Sequence, residues 1–385
     1  MSDMNATVGP TSDSLTDVLG YFADPSKITF KWAFPSYSNF DYTLAPYGDI
    51  SAAAPNIEKT VGQTWADPAV GQIESASGKY ALVLGSGFMP RSMETQSNRG
   101  VSAGTTFYVL NVETGAVFDS YSVGSDNIAE TIDSCVTSND CSKIKNALQA
   151  DPVATGPPNS RYITMTYVGD LDGRVWRFDL GTSSTTNLPY IKTKPPVKLW
   201  DGGAAHPVFS SMATVNVGTT QQYIFFGTGS DLLASNSINQ QYKLIGVLDN
   251  GGSGTETFSK TLTTVDGVGA DEKVTAFPAV AGDIVFFTTT TFNPAAPCTL
   301  PSAKLYALTF IGGPAYDTTG DARITTADSI PVTTIANTRA TAPFVGDRHL
   351  IFGTGADTQL FGDPEAFDNG VGQAGVRILS WRELR

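Results

Sequence analysis

Two carboxylates set two apart beside a glycine, Asp170 and Asp172 in YVGDLDGRVWRFDL, are of a type and spacing that could hold a cation. The same residues also suit a tight Asp-Gly turn between two strands, in which Gly173 supplies the backbone freedom. A fuller set of oxygens occurs in DTTGDARITTAD, where Asp317, Thr319, Asp321 and Asp328 fall at positions 1, 3, 5 and 12 of a twelve-residue loop. Those are ligand positions of an EF-hand-like calcium loop. Ala322 stands where such a loop needs glycine, and Asp328 is shorter than the usual bidentate glutamate. The sequence therefore favours a solvated loop here, with calcium as the cation to test and no other cofactor indicated.

Cys135 and Cys141 lie in the loop and at the start of a short predicted helix that Ser138, Asn139 or Asp140 caps, Ile144, Ala147 and Leu148 line, and Asp151-Pro152 stops. Their spacing favours a disulfide, and hence an oxidising compartment, over two buried thiols. Cys298 is read as a small core residue or a half-exposed thiol, and with only His206 and His349 present no zinc cluster forms. GSG at 85–87 and GTGSD at 227–231 lack the lysine, the spacing and the following helix of a phosphate loop or nucleophile elbow. They are turns.

The elements that must position these residues repeat. Apolar runs ending in Gly-Thr/Ser-Gly or a related turn occur at 80–88, 166–173, 223–231, 284–292 and 350–357. Each is followed by a second run, at 107–115, 175–182, 242–250, 304–313 and 376–381, and four are preceded by a proline-led run starting at Asp67, His206, Phe277 and Ala342. Gly227 with Gly229 and Gly353 with Gly355 mark two FGTG turns with one unit between them, a period of about sixty residues. Strand, strand, turn, strand at that period is the arithmetic of a β-propeller, so an all-β fold with five visible blades is expected over 27–385, with a β-sandwich as the alternative. Trp65, Trp176 and Trp200 are expected to pack within or between blades. The first 26 residues read as a helical lead-in with Leu15, Val18, Leu19 and Phe22 on one face, and 27–35 as the last strand of a blade.

Lys+Arg number 24 against 37 Asp+Glu, a net charge of −13 with no basic run, which argues against nucleic acid as a partner. No apolar window is long enough to span a bilayer, and the start lacks a signal-peptide profile; either export information has been removed or the chain is a piece of something longer.

These motifs resemble the C-terminal domain of the PilY family, tip-associated proteins and adhesins of type IV pili. GQTWADPAVGQI, with Trp65, is similar to that family's lead into a blade, and GDLDGRVWRFDL, with Gly169, Asp170, Asp172, Gly173, Trp176 and Phe178, is similar to its most specific signature. FYVLNVETGAV, IFFGTGSDL and the closing VRILSWREL add to a likeness that runs from about Lys27 to Arg385. The resemblance implies a modified seven-bladed, quinoprotein-like propeller, of which five units are found here, so an upstream segment or a second chain would complete the ring. It implies a non-enzymatic cell-surface protein, exported through the periplasm to the pilus tip, which contacts minor pilins and a host or surface ligand in pilus assembly, retraction, adhesion and twitching. The family's calcium loop would stand just before Tyr167; LQADPVATGPPNSRYITMTYVGDL lacks its acidic residues, so that loop is expected to be lost. The alternative is a periplasmic oxidoreductase propeller dependent on pyrroloquinoline quinone, for which the haem-attachment motif, adjacent cysteines and repeated tryptophans are missing.

Overall fold

The computed structural model describes residues 31–44, 48–74, 79–90, 103–124, 128–129, 147–157, 160–180, 195–217, 221–230, 241–262, 264–265, 270–292, 298, 300–319, 321, 323–328, 331–335, 338–346, 349–354 and 357–361. The helical lead-in, Cys135, Cys141, Gly355 and the run at 376–381 lie outside them.

Five antiparallel sheets follow one another along the chain, and each is a blade whose strands pair in sequence order. Blade 1 comprises Ala69–Gln72, Tyr80–Gly85, Thr106–Asn111 and Val117–Ser122. Blade 2 comprises Val153–Thr155, Met165–Gly169, Arg174–Asp179 and Val197–Asp201. Blade 3 comprises Ala213–Val217, Gln221–Gly227, Lys243–Asp249 and Gly254–Thr261. Blade 4 comprises Ala279–Ala281, Ile284–Phe292, Ser302–Thr309 and Pro331–Ile335, and the strand Ala270–Lys273 pairs with the far half of Ile284–Phe292. Blade 5 has Phe344–Gly346, His349–Thr354 and Asp357–Phe361. The first strands of successive blades touch in order from blade 1 to blade 5, so the sheets fan about a common axis as in a β-propeller. In each four-stranded blade the register of the third and fourth strands shifts once, at Val109/Leu110, Val175/Trp176, Gly246/Val247 and Leu305/Tyr306. Such bulges increase the twist of the outer strand.

The hydrophobic core lies in the seams between blades. Val83 and Phe107 of blade 1 meet Val168 and Phe178 of blade 2, with the Phe107 and Phe178 rings stacked at 4.1 Å. Tyr167 and Val175 meet Ile224, Phe226 and Val247 in the next seam, Phe225 and Leu244 meet Val285 and Phe287 in the third, and Phe286 and Leu305 meet Leu350 and Phe352 in the fourth. Alternate residues of one strand therefore serve different seams. That is why the second strands read as unbroken apolar runs instead of alternating with polar residues. Each fully buried large side chain stabilises by roughly 1.5–3 kcal/mol, so a seam outweighs any single polar contact in the molecule.

The repeated glycines have a packing cause. Gly85, Gly169 and Gly227 each end the second strand of their blade, and the chain leading into the next blade crosses them too closely for a side chain. A Cβ would lie 2.3 Å from the Leu148 carbonyl oxygen at Gly85, 2.3 Å from Val208 at Gly169 and 2.2 Å from Val274 at Gly227. Leu148, Val208 and Val274 are wholly buried, and each stands five residues before the first strand of the next blade.

Three expectations need correction. Ala147–Ala150, the end of the predicted helix, are not helical: Leu148 bridges Gly87 and enters the first seam, and Asp151-Pro152 leads into the first strand of blade 2. Residues 31–35 form no strand; Trp32 and Phe34 lie with Ile57 and Val61 over Leu82, Tyr108 and Leu110, capping the outward face of blade 1. Trp65 is not packed between blades but 68% exposed, because the chain at Gln63 bridges Phe88 and runs along the loop end of the blade before Ala69.

Candidate functional site

The turn from Gly169 to Arg174 joins the second and third strands of blade 2. Asp170 is fully buried, and its carboxylate accepts the Arg174 backbone N–H at 2.8 Å and the Trp176 indole N–H at 2.8 Å. Burial pushes its carboxyl up to about 7 against the opposing effect of these hydrogen bonds. Asp172 turns the other way and pairs with Arg174 at 2.5 Å. Gly173 has φ +77°, and a Cβ there would meet the Gly203 carbonyl oxygen at 2.1 Å. The Asp170 carbonyl also accepts the Val208 N–H at 3.0 Å, fastening the turn to the chain that enters blade 3. The two carboxylates thus close a turn and do not converge on a common point.

Three residues on, the signature builds a polar clamp between blades. Arg177 is 4% exposed and its guanidinium lies 2.6 Å from the Asp249 carboxylate at the end of the third strand of blade 3. Tyr167 donates its hydroxyl to the other Asp249 oxygen at 2.8 Å, and the Gly251 N–H donates to Asp249 at 2.7 Å. Asp179 lies 3.2 Å from the Arg177 Nε, and Arg177 also donates to the Gly251 carbonyl. Burial, with the Asp249 charge second, pushes the Tyr167 phenol far above its ordinary value, so it remains a neutral donor. Val175 and Arg177 face blade 3 while Trp176 and Phe178 face blade 1.

A second buried network belongs to blade 4, where Glu272 accepts Thr289 at 2.6 Å, Tyr306 at 2.7 Å and Lys304 at 2.7 Å. It ties the additional strand Ala270–Lys273 to the blade. Little in the repeat pattern signals it, since Glu272 stands outside every repeated element.

The structure gathers the loop 317–328 around Asp328, not around a vacant centre. Asp328 accepts the N–H groups of Thr318 at 2.8 Å, Thr319 at 3.1 Å and Thr325 at 2.7 Å. The Thr325 N–H, with those of Thr318 and Thr319, holds its carboxyl down to about 2 against the effect of burial. Thr319 lies 3.2 Å from Asp317, and Asp321 turns back to the Arg323 N–H at 2.9 Å. A hard cation here would have to take oxygens that accept backbone N–H groups in this arrangement, and it needs six or more ligands. Among the described residues no group of three or more His, Cys, Asp or Glu side chains could hold a metal. Cys298 is a free, exposed thiol.

The remaining signature positions serve the backbone. Gly229, at φ +130°, donates its N–H to the Pro207 carbonyl at 2.9 Å, and Gly353 donates to the Thr341 hydroxyl at 2.8 Å. On the same end of blade 1, Met89–Pro90 pairs in parallel with Ile128–Ala129, which joins its two long insertions.

One concave surface collects side chains suited to binding. Residues 31–62 are held to blade 1 by the Trp32 indole N–H on the Val112 carbonyl at 2.8 Å and by Phe34 edge-on to Tyr108 at 5.1 Å. Glu58 accepts the Ser36 N–H at 3.2 Å and the Asn39 amide at 2.9 Å, and Phe40–Asp41 pairs with Asp49–Ile50. These elements enclose an open groove of about 440 Å3 lined by Phe34, Ser36, Tyr37, Phe40, Tyr42 and Ile50 with their neighbours. Tyr37 is 64% and Tyr42 71% exposed. The sequence reading missed this groove because its aromatics follow no period. Their density between Phe34 and Tyr47 was the available signal.

No family sequence model and no curated protein sequence matches the chain. Among solved structures, the C-terminal domain of PilY1 from Pseudomonas aeruginosa is similar over 80% of this chain and 73% of its own, with a TM-score of 0.52 and 15% identity. The β-propeller domain of Cps50 (Swd1) from Myceliophteria thermophila covers 83% of this chain and 72% of its own at a TM-score of 0.35 and 13% identity. An α-L-arabinanase from Penicillium chrysogenum, complexed with arabinobiose, covers 80% of both chains at 0.35 and 12%. The likeness to the PilY1 domain is one of fold: both chains form β-propellers.

Proposed function

We propose that this chain is a non-enzymatic surface protein of the type IV pilus system, acting at or near the pilus tip in assembly and retraction, adhesion and twitching motility. The observation that carries the reading is the propeller similarity to the PilY1 C-terminal domain, with a TM-score of 0.52 across 80% of the chain. It is supported by the signature GDLDGRVWRFDL, which the fold uses as a turn and an inter-blade clamp. Its partners are minor pilins, a second chain or upstream segment that adds blades, and a ligand on the colonised surface. A net charge of −13 suits a basic protein partner and opposes binding to nucleic acid. No helix among the described residues is long and apolar enough to cross a membrane.

The test is a pull-down of the full chain with purified minor pilins, run beside a dye-reduction assay with pyrroloquinoline quinone and calcium. Retention of pilins with no dye reduction is expected. Dye reduction, or failure to retain any minor pilin, would overturn the proposal.

A further inference from the structure

We propose that the groove between Phe34 and Ile50 is a binding site for a neutral saccharide of about two rings. Its volume of about 440 Å3 lies within the range of small-molecule sites. None of its lining residues is charged. The carboxylates nearest to it in sequence, Asp41 and Asp49, and the net −13 of the chain disfavour an anionic ligand. Its lining includes Tyr37, Phe40 and Tyr42, the last two with rings tilted at 4.8 Å, and Ser36, whose hydroxyl lies 2.9 Å from that of Ser38. Aromatic rings beside phenolic and serine hydroxyls are the side-chain types that suit a sugar ring, which presents C–H groups on its face and hydroxyls on its edge. The binding of a neutral saccharide here is read independently of the pilus reading.

The full chain is applied to a printed array of neutral oligosaccharides, and the strongest ligand is then titrated by saturation-transfer NMR against wild type, Tyr37→Ala, Tyr42→Ala and Tyr42→Phe. Because Tyr37 and Tyr42 are mostly exposed, both alanine variants should melt as wild type does. Each alanine change is expected to weaken binding roughly tenfold, and Tyr42→Phe, which keeps the ring, by less than about twofold. Three results would overturn the proposal: no array ligand, equal binding by the alanine variants, or binding of a hexaproline peptide at the tyrosines while no glycan binds.

Discussion

Removing Arg177 tests whether the polar clamp holds blades 2 and 3 together. The guanidinium and the Asp249 carboxylate are 2.6 Å apart and almost fully buried. At an effective dielectric of about 20 their attraction is about 6 kcal/mol, most of it offset by the cost of taking both ions from water. The offset ends when one partner is lost, because the other stays buried. Breaking such a pair costs roughly 3–5 kcal/mol. Asp249 would keep the Tyr167 hydroxyl and the Gly251 N–H, which places Arg177→Met near the lower limit, at about 3 kcal/mol. Asp249→Asn leaves Arg177 beside Asp179, 3.2 Å away, and should cost about 2 kcal/mol. In the double variant residue 249 no longer carries a charge for the loss of Arg177 to strand, so the two changes should cost about 2 kcal/mol less than their sum. Urea unfolding followed by tryptophan fluorescence measures all four corners of the cycle, with the slope m checked for constancy. A cost below about 1 kcal/mol for Arg177→Met, or a coupling near zero, would refute the clamp.

Other expected outcomes follow from the same contacts. Gly227→Ala should destabilise by roughly 1–3 kcal/mol because its Cβ would lie 2.2 Å from Val274, whereas Gly252→Ala, with nothing within 4 Å, should be near neutral in the same urea assay. Equal effects would remove the close-crossing explanation of the repeat. Asp170 has a folded carboxyl raised from 3.8 to about 7, so the folded state binds its proton more tightly than the unfolded chain does. Stability from this group is therefore fully present below about pH 4 and declines as pH rises through about 7. Asp151, raised to about 6 by burial, adds to the slope, so Asp170→Asn should flatten melting temperature against pH without abolishing the dependence. An unchanged profile contradicts the assignment. Calcium titrated calorimetrically into the full chain should give no heat that Asp321→Ala removes, while Asp328→Ala should lower the melting temperature equally with and without calcium. A calcium heat lost in Asp321→Ala would restore the loop as a metal site.

Much of the propeller was legible because its second strands are buried on both faces and end where a glycine is unavoidable. IVFFTTTTF coincides with the strand Ile284–Phe292, and the proline-led runs from Asp67, His206, Phe277 and Ala342 all lead into first strands. The fourth strands were not legible. Gly254–Thr261 is the outer edge of its blade, with Phe258 its one buried residue, so its sequence GTETFSKT carries little more apolar pattern than a loop. Val153–Thr155 is not legible because Asp151-Pro152 has the form of a helix stop, although Asp67-Pro68 leads into blade 1 in the same way. At the site level, Asp170 as a turn residue followed from DLDG, but the clamp pairs residues more than seventy positions apart. Trp65 shows the limit from the other side. Hydrophobic type alone does not say whether a neighbouring element covers a side chain, and among the described residues none covers Trp65.

The most direct measurement on the functional account is deletion of the chain from its own cell, with surface pili counted by electron microscopy and twitching zones measured on agar. The account predicts fewer pili and smaller zones, both restored by the wild-type chain supplied in trans and only weakly by Arg177→Met. Unchanged piliation and twitching after deletion would contradict it.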